Sequence, residues 1–285
     1  MADLFSLTGD PLIEAVTAAV RVHMAQYDGS HDFNHIRRVV GLTRHIWHTT
    51  RGADVSSSSS SSSSLAQPPA DPRVAVLAAL LHDVGDRKYI QSAAYAPASD
   101  DEAKAIDALV QDTPFAHDTG ARATATVFHR CVQAAAESAG PAVPEPEDAV
   151  ALGRKVILVC QNVSWSGENK SDETRAAVAR LAKEVPELAM VQDADRLDSL
   201  GAVGVARCFA YGARAGVAGK AQGRTLEDSL DHFDEKLLVV GQRMKTAEGA
   251  RLAAERTQRL RQVQQWFRDE ASFAVGGFVA GKDEA

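Results

Sequence analysis

Asp71-Pro-Arg-Val-Ala-Val-Leu-Ala-Ala-Leu-Leu-His82-Asp83-Val-Gly-Asp86 begins as a helix and ends as a group of polar side chains. Asp71 before Pro72 reads as an N-cap followed by the first helical position, where a missing N–H costs nothing. Val74, Val76, Leu77, Leu80 and Leu81 then make the segment apolar on most faces, so it is expected at the centre of the molecule. Gly85 is read as its C-terminal stop. His82 and Asp83 therefore fall on the last turn of a buried helix, close to its mouth, with side chains about 100° apart around the axis. An imidazole and a carboxylate so placed can point at one ion.

Working outward, two further segments carry residues of the same chemistry. Asn34 is read as the cap of a helix with the stripe His35, Val39, Leu42 and Ile46, which puts His35 on the core side near the helix start. Gln192-Asp-Ala-Asp-Arg-Leu-Asp198 lies in a helix expected from Met190 to Phe209, where Asp195 and Asp198 share a face. Two imidazoles with carboxylates, and no thiol pair beside them, form a nitrogen and oxygen donor set. Such a set suits one divalent ion of the Mn, Fe, Mg, Ni or Zn type.

The rest of the chain reads as helix. Residues 11–27 show helical spacing, and so do stretches within 93–150, 176–185 and 250–270. The run Val156-Ile-Leu-Val-Cys160 is compatible with strand or buried helix, and its helical neighbours favour helix. Nothing alternates with period two over a useful length, so the expected class is all-α. Ser56 to Ser64 is unbroken serine, and a disordered Ser-rich loop is expected at about 53–70. Pro141, Pro144 and Pro146 mark an extended linker, and residues 161–175 a polar loop. The 31 basic and 38 acidic residues give a net charge of −7, which excludes a global attraction to duplex nucleic acid or anionic membrane but not a local basic pocket. Cys131, Cys160 and Cys208 form no CxxC and read as reduced, buried thiols. With no leader pattern and no long apolar run, a cytoplasmic protein is expected.

The order His35, then His82-Asp83, then Asp195 resembles the HD-domain metal-dependent phosphohydrolases. A bare His-Asp pair means little, since His31-Asp32 and His117-Asp118 occur as well. The specificity lies in the contexts His35-Ile-Arg-Arg-Val39, Leu80-Leu-His-Asp-Val-Gly-Asp86 and Ala194-Asp-Arg-Leu197. Ser30-His-Asp-Phe-Asn-His35, the run from Gln192 to Arg207 and His232-Phe-Asp-Glu-Lys-Leu-Leu238 extend the likeness to the stand-alone bacterial and fungal subgroup, from about residue 10 to 273. The serine run and parts of 93–150 depart from it.

The resemblance implies a single HD domain over 1–285, with a helical insertion within about 93–150. It also implies a metal held by His35, His82, Asp83 and Asp195, with Asp195 selected over Asp193, which would then orient a histidine or cap a helix. Asp86 is the candidate general base, or else a helix-end carboxylate paired with Arg87 or Lys88. Lys88, Arg196, Arg207, His232 and Lys236 are candidate phosphate contacts. His31 either meets the substrate or caps its turn, and His45 and His48 are read as solvated. The implied activity is hydrolysis of a phosphoester or phosphoanhydride bond in a nucleotide or similar phosphorylated metabolite. Two other functions share the scaffold. A di-iron oxygenase would draw extra histidines such as His117 or His129, and a non-enzymatic nucleotide binder would lack a ligand. A homodimer is left open.

Overall fold

The computed structural model describes residues 5, 7–26, 32–56, 69–86, 92–111, 113–139, 146–214, 216 and 221–274. Among them the secondary structure is helical throughout, with no strand. The elements are α1 (Pro11–Met24), α2 (Phe33–Ser56), α3 (Pro72–Leu81), α4 (Asp100–Val110), α5 (Thr119–Ala139), α6 (Pro146–Val163), α7 (Trp165–Glu168), α8 (Asp172–Glu184), α9 (Pro186–Asp198), α10 (Gly201–Gly212), α11 (Leu226–His232), α12 (Leu238–Gly241) and α13 (Ala247–Ala271). A 3₁₀ turn covers Ser92–Tyr95, and a π-helical turn, Phe233–Leu237, joins α11 to α12.

α3 is the axis of the molecule. Every residue from Val74 to Leu81 is fully buried, as expected for a helix apolar on all sides. It packs against α1, α2, α6 and α9. Its start follows the sequence expectation: the Arg73 N–H donates to the Asp71 carboxylate at 2.8 Å, and Pro72 takes the first turn. The same start is tied to two neighbouring helices. Asp71 N–H donates to Glu187 Oε1 at 2.6 Å, and Lys155 Nζ donates to that oxygen at 2.9 Å. Glu187 is buried and carries this link between α3, α6 and α9.

Several boundaries differ from the sequence expectation. α3 ends at Leu81, so His82 is its C-cap residue and Asp83 stands in the following turn. Gly85 has no left-handed backbone. A Cβ there would stand 2.7 Å from the Gly120 carbonyl oxygen, so glycine lets this turn touch the start of α5. The cap of α2 is Asp32, not Asn34: the His35 N–H donates to Asp32 Oδ1 at 3.1 Å, and Asn34 Nδ2 donates to Asp32 Oδ2. α2 runs on to Ser56, and most of the serine run lies outside the described residues. Pro146 opens α6 instead of ending in a linker. The segment from Met190 to Phe209 is two helices, broken where Gly201 adopts φ +69. The stretch read as a polar loop carries α7, whose Glu168 is buried.

α4 and α5 contribute Ile106, Leu109 and Phe128 to the same core cluster as α3. α5 packs along α1, and both α4 and α5 pack on α6. Residues of the 93–150 region are therefore part of the main core.

Candidate metal centre

His35 is almost wholly enclosed at the start of α2. Its Nδ1 lies 2.8 Å from Asp198 Oδ2. Asp198 also accepts from Arg38 Nε at 2.7 Å, Arg38 Nη2 at 3.0 Å and Arg207 Nη1 at 2.8 Å. Burial alone would raise this carboxyl; His35, Arg38 and Arg207 instead hold it far below the ordinary carboxylate range. The contact with Asp198 holds the His35 ring by Nδ1 and turns Nε2 toward the cluster. His82 is pinned in the same way, its Nδ1 lying 2.9 Å from the Ala79 carbonyl oxygen. The rings meet edge to face, with centroids 5.3 Å apart.

Both Nε2 atoms therefore face one spot, and two carboxylates face it from other elements. His35 Nε2 is 3.4 Å from Asp83 Oδ2 and 3.5 Å from Asp195 Oδ1. His82 Nε2 is 3.5 Å from Asp83 Oδ1 and 3.7 Å from Asp195 Oδ1. Ligand atoms about 2.1 Å from a tetrahedral or octahedral ion stand roughly 3.0–3.4 Å apart, a little less than the imidazole–carboxylate distances of 3.4 to 3.7 Å here. One donor atom each from His35, His82 and Asp195 lies within 4.8 Å of the others, while Asp83 straddles the two imidazoles with its two oxygens. The buried His82 Nε2 makes no hydrogen bond. The carboxylates are the more open side, with Asp83 21% and Asp195 28% exposed.

The electrostatics respond to this crowding. Burial would lower the His82 imidazolium, but Asp83 and Asp195 outweigh it and raise the group to about 9. Burial likewise pushes the Asp195 carboxyl up, and His82 and His35 bring it below its ordinary value.

Asp193 faces elsewhere. It is fully buried and accepts from the Lys245 N–H, the Thr246 N–H and the Thr246 hydroxyl. Thr246 is the N-cap of α13, so Asp193 docks that helix onto α9. The residue that orients His35 is Asp198; the signal for it was its i, i+3 relation to Asp195. Arg38, i+3 from His35, completes the same cluster.

Asp86 is partly buried at the end of the turn, and its N–H donates to the Asp83 carbonyl at 3.1 Å. Arg87, Lys88 and His31 lie outside the described residues. Arg196 corrects the expectation of a phosphate contact. It is 2% exposed, ion-paired with Glu168, bonded to the Arg243 carbonyl at 2.9 Å and stacked on Trp165 at 5.2 Å. Its guanidinium holds α7 and the segment before α13 to α9. Arg207 is the basic residue tied to the cluster, through Asp198.

His232 and Lys236 lie where α11 passes into the π-helical turn, and Arg224, unnoticed in the sequence, joins them. Burial lowers the His232 imidazolium, and the charges of Arg224 and Lys236 lower it further. His45 is half exposed and pairs with Glu248 at 2.6 Å; His48 and His117 are exposed. Among the described residues no further histidine joins His35 and His82. All three cysteines are free and buried, and burial pushes the Cys131 thiol up to about 12. No helix among the described residues is long and apolar enough to cross a membrane.

No family model matches the chain. The uncharacterized protein YpgQ of Bacillus subtilis (strain 168) is 44% identical over 66 residues, a match that spans 23% of this chain and 31% of that relative's length. Among solved structures, one from Lactobacillus plantarum is 20% identical, with 93% of this chain and 98% of that chain covered and a TM-score of 0.50. Bacillus subtilis YpgQ in complex with ADP is 21% identical, with 89% and 97% covered and a TM-score of 0.48. An HD-superfamily hydrolase of Bacillus thuringiensis is 22% identical, with 92% and 97% covered and a TM-score of 0.45. What this chain shares with the Lactobacillus plantarum structure is the fold, an all-α helical bundle.

Proposed function

We propose that this protein is a metal-dependent phosphohydrolase that cleaves a phosphoester or phosphoanhydride bond of a nucleotide or similar phosphorylated metabolite. His35, His82, Asp83 and Asp195 hold one divalent cation in this reading. The observation that supports it best is the convergence of two Nε2 atoms and two carboxylates, with the opposite nitrogen of each imidazole fixed by a buried acceptor. A bound divalent ion supplies a polarised phosphoryl oxygen and a water acidic enough to give hydroxide near neutral pH. Asp86, three residues beyond Asp83, takes the proton of the attacking water. Arg207, Lys236 and Arg224 supply positive charge for the phosphates, with Arg able to bind two oxygens at once, and His232, held uncharged by burial, supplies a hydrogen bond.

A metal assay combined with a phosphate and pyrophosphate release screen over nucleotides tests this reading. Metal-stripped protein is expected to be inactive, with turnover restored by a divalent ion. Turnover that survives chelation would reject it, and O2-dependent turnover with bound iron would favour the oxygenase built on the same scaffold.

A further inference from the structure

A cavity of about 610 Å³ opens where α2, α8, α9 and α13 meet. It is separate from the metal centre. α2 and α9 pack along each other, with His35, Asp195 and Asp198 gathered at one end of the pair. The cavity takes Thr49 and Thr50 from α2 and Pro186 from the start of α9, at the other end. Thr49 lies fourteen residues beyond His35, about 20 Å along the helix. Ala179, Ala182, Pro186, Ala189 and Met190 supply an apolar lining of mostly small side chains, which leaves room for a short hydrocarbon.

The polar lining comes from α8 and the start of α13. Arg251 donates to both oxygens of Glu248 and to Glu255, so its charge is met within α13. Lys245 is different. Its side chain is 13% exposed, and its Nζ makes one hydrogen bond, to Glu168 Oε1 at 2.9 Å. Two of its three N–H groups therefore have no acceptor among the described residues. Glu168 is itself shared, its other oxygen accepting from the Arg196 guanidinium. Asp193 spends its oxygens on the Lys245 and Thr246 N–H groups and the Thr246 hydroxyl. Burial and the charge of Arg196 together lower the Lys245 ammonium in spite of both carboxylates. Lys183 adds a further positive charge from α8.

The lining thus sets three cations against one carboxylate, Glu248, beside an apolar surface. One negative charge suits it. A dianion such as a phosphate ester gains less, because Glu248 repels the second charge.

We propose that this cavity is a binding site for an aliphatic monocarboxylate, whose oxygens accept from Lys245 Nζ and whose chain lies along Ala179, Ala182 and Met190. The site stands independently of the phosphohydrolase reading and needs no metal.

The test is calorimetric titration of the full chain with hexanoate, beside hexanol and acetate. Hexanoate should bind once per chain with a Kd of about 1 mM or tighter, the range open to a ligand of so few atoms. Hexanol keeps the chain and loses the charge, so it should bind about tenfold more weakly. Acetate keeps only the charge and should not saturate. Lys245→Met keeps most of the packing volume and removes the ammonium; it should weaken hexanoate about tenfold and leave hexanol unchanged. Ala179→Phe, at an exposed position of α8, should fill the cavity and abolish binding of both with the thermal midpoint unmoved. It keeps the test decisive if Lys245→Met loses stability with Glu168 less well paired. Wild-type protein that shows no saturable hexanoate binding, or equal affinity for hexanol, would overturn the assignment, as would hexanoate binding untouched by Ala179→Phe.

Discussion

Asp198 carries more of the proposed centre than any single ligand. It holds His35 by Nδ1 while two arginines keep it ionised, so its removal acts through His35. Asp198→Asn should weaken metal binding by about 10–100-fold, the usual cost of losing a partner behind a ligand. It should also destabilise the fold by about 3–5 kcal/mol, because Arg207 and Arg38 lose a buried counter-charge. Metal titration and thermal melts check both. Asp86→Asn should behave differently: metal retained, KM little changed and kcat lower by about 10² or more. An unchanged kcat would leave Asp86 a structural carboxylate.

At this scale a patterned context located side chains without settling their roles. His35, His82, Asp83 and Asp195 were readable from their helices and flanking residues, and the structure brings them together. Arg196 was misread because an arginine beside a candidate ligand looks the same whether it meets phosphate or a buried glutamate. Its partner, Glu168, lies 28 residues away in a segment that reads as polar loop.

Among the elements, the turn after α3 is the most demanding. Gly85 and Gly120 allow two backbones to touch, and a Cβ on Gly120 would stand closer still to the Gly85 carbonyl oxygen. Gly85→Ala should therefore cost about 1–3 kcal/mol and displace Asp83 and Asp86 together. The readout is a lower thermal midpoint with a weaker metal affinity; a neutral substitution would show that the turn has room. Gly85 had looked like a helix stop because local sequence reports backbone preference, whereas a close approach to α5 is set by tertiary packing. The same limit hid the break at Gly201, since the apolar period runs through it without interruption. The cap of α2 was misplaced by two residues for a related reason: Asp32 and Asn34 are both good caps, and the bond to His35 N–H decides between them. The start and the buried interior of α3 were readable from its cap and its apolar run, but its end was not: the helix stops at Leu81 and Asp83 lies in the turn beyond.

For the whole molecule, the folding of three helix ends onto one spot leaves a pH signature. His82 is raised from its ordinary 6.5 to about 9. A raised imidazolium stabilises the metal-free fold fully below the unfolded value, and that stabilisation is lost as pH rises through the folded one. Metal-free protein should thus lose stability between about pH 6.5 and 9, and metal binding near pH 7 should release about one proton. Calorimetric titrations in buffers of different ionisation enthalpy measure that proton. Zero release would mean that His82 is not where the ion sits.

The central claim is a single catalytic cation held by these four side chains. The most direct measurement is nucleotide hydrolysis by metal-stripped protein titrated with Mn²⁺, run beside His82→Ala. Turnover is predicted to rise linearly and level off at about one ion per chain, with His82→Ala inactive across the titration. Turnover before any metal is added, a plateau only at two ions per chain, or a fully active His82→Ala would contradict it.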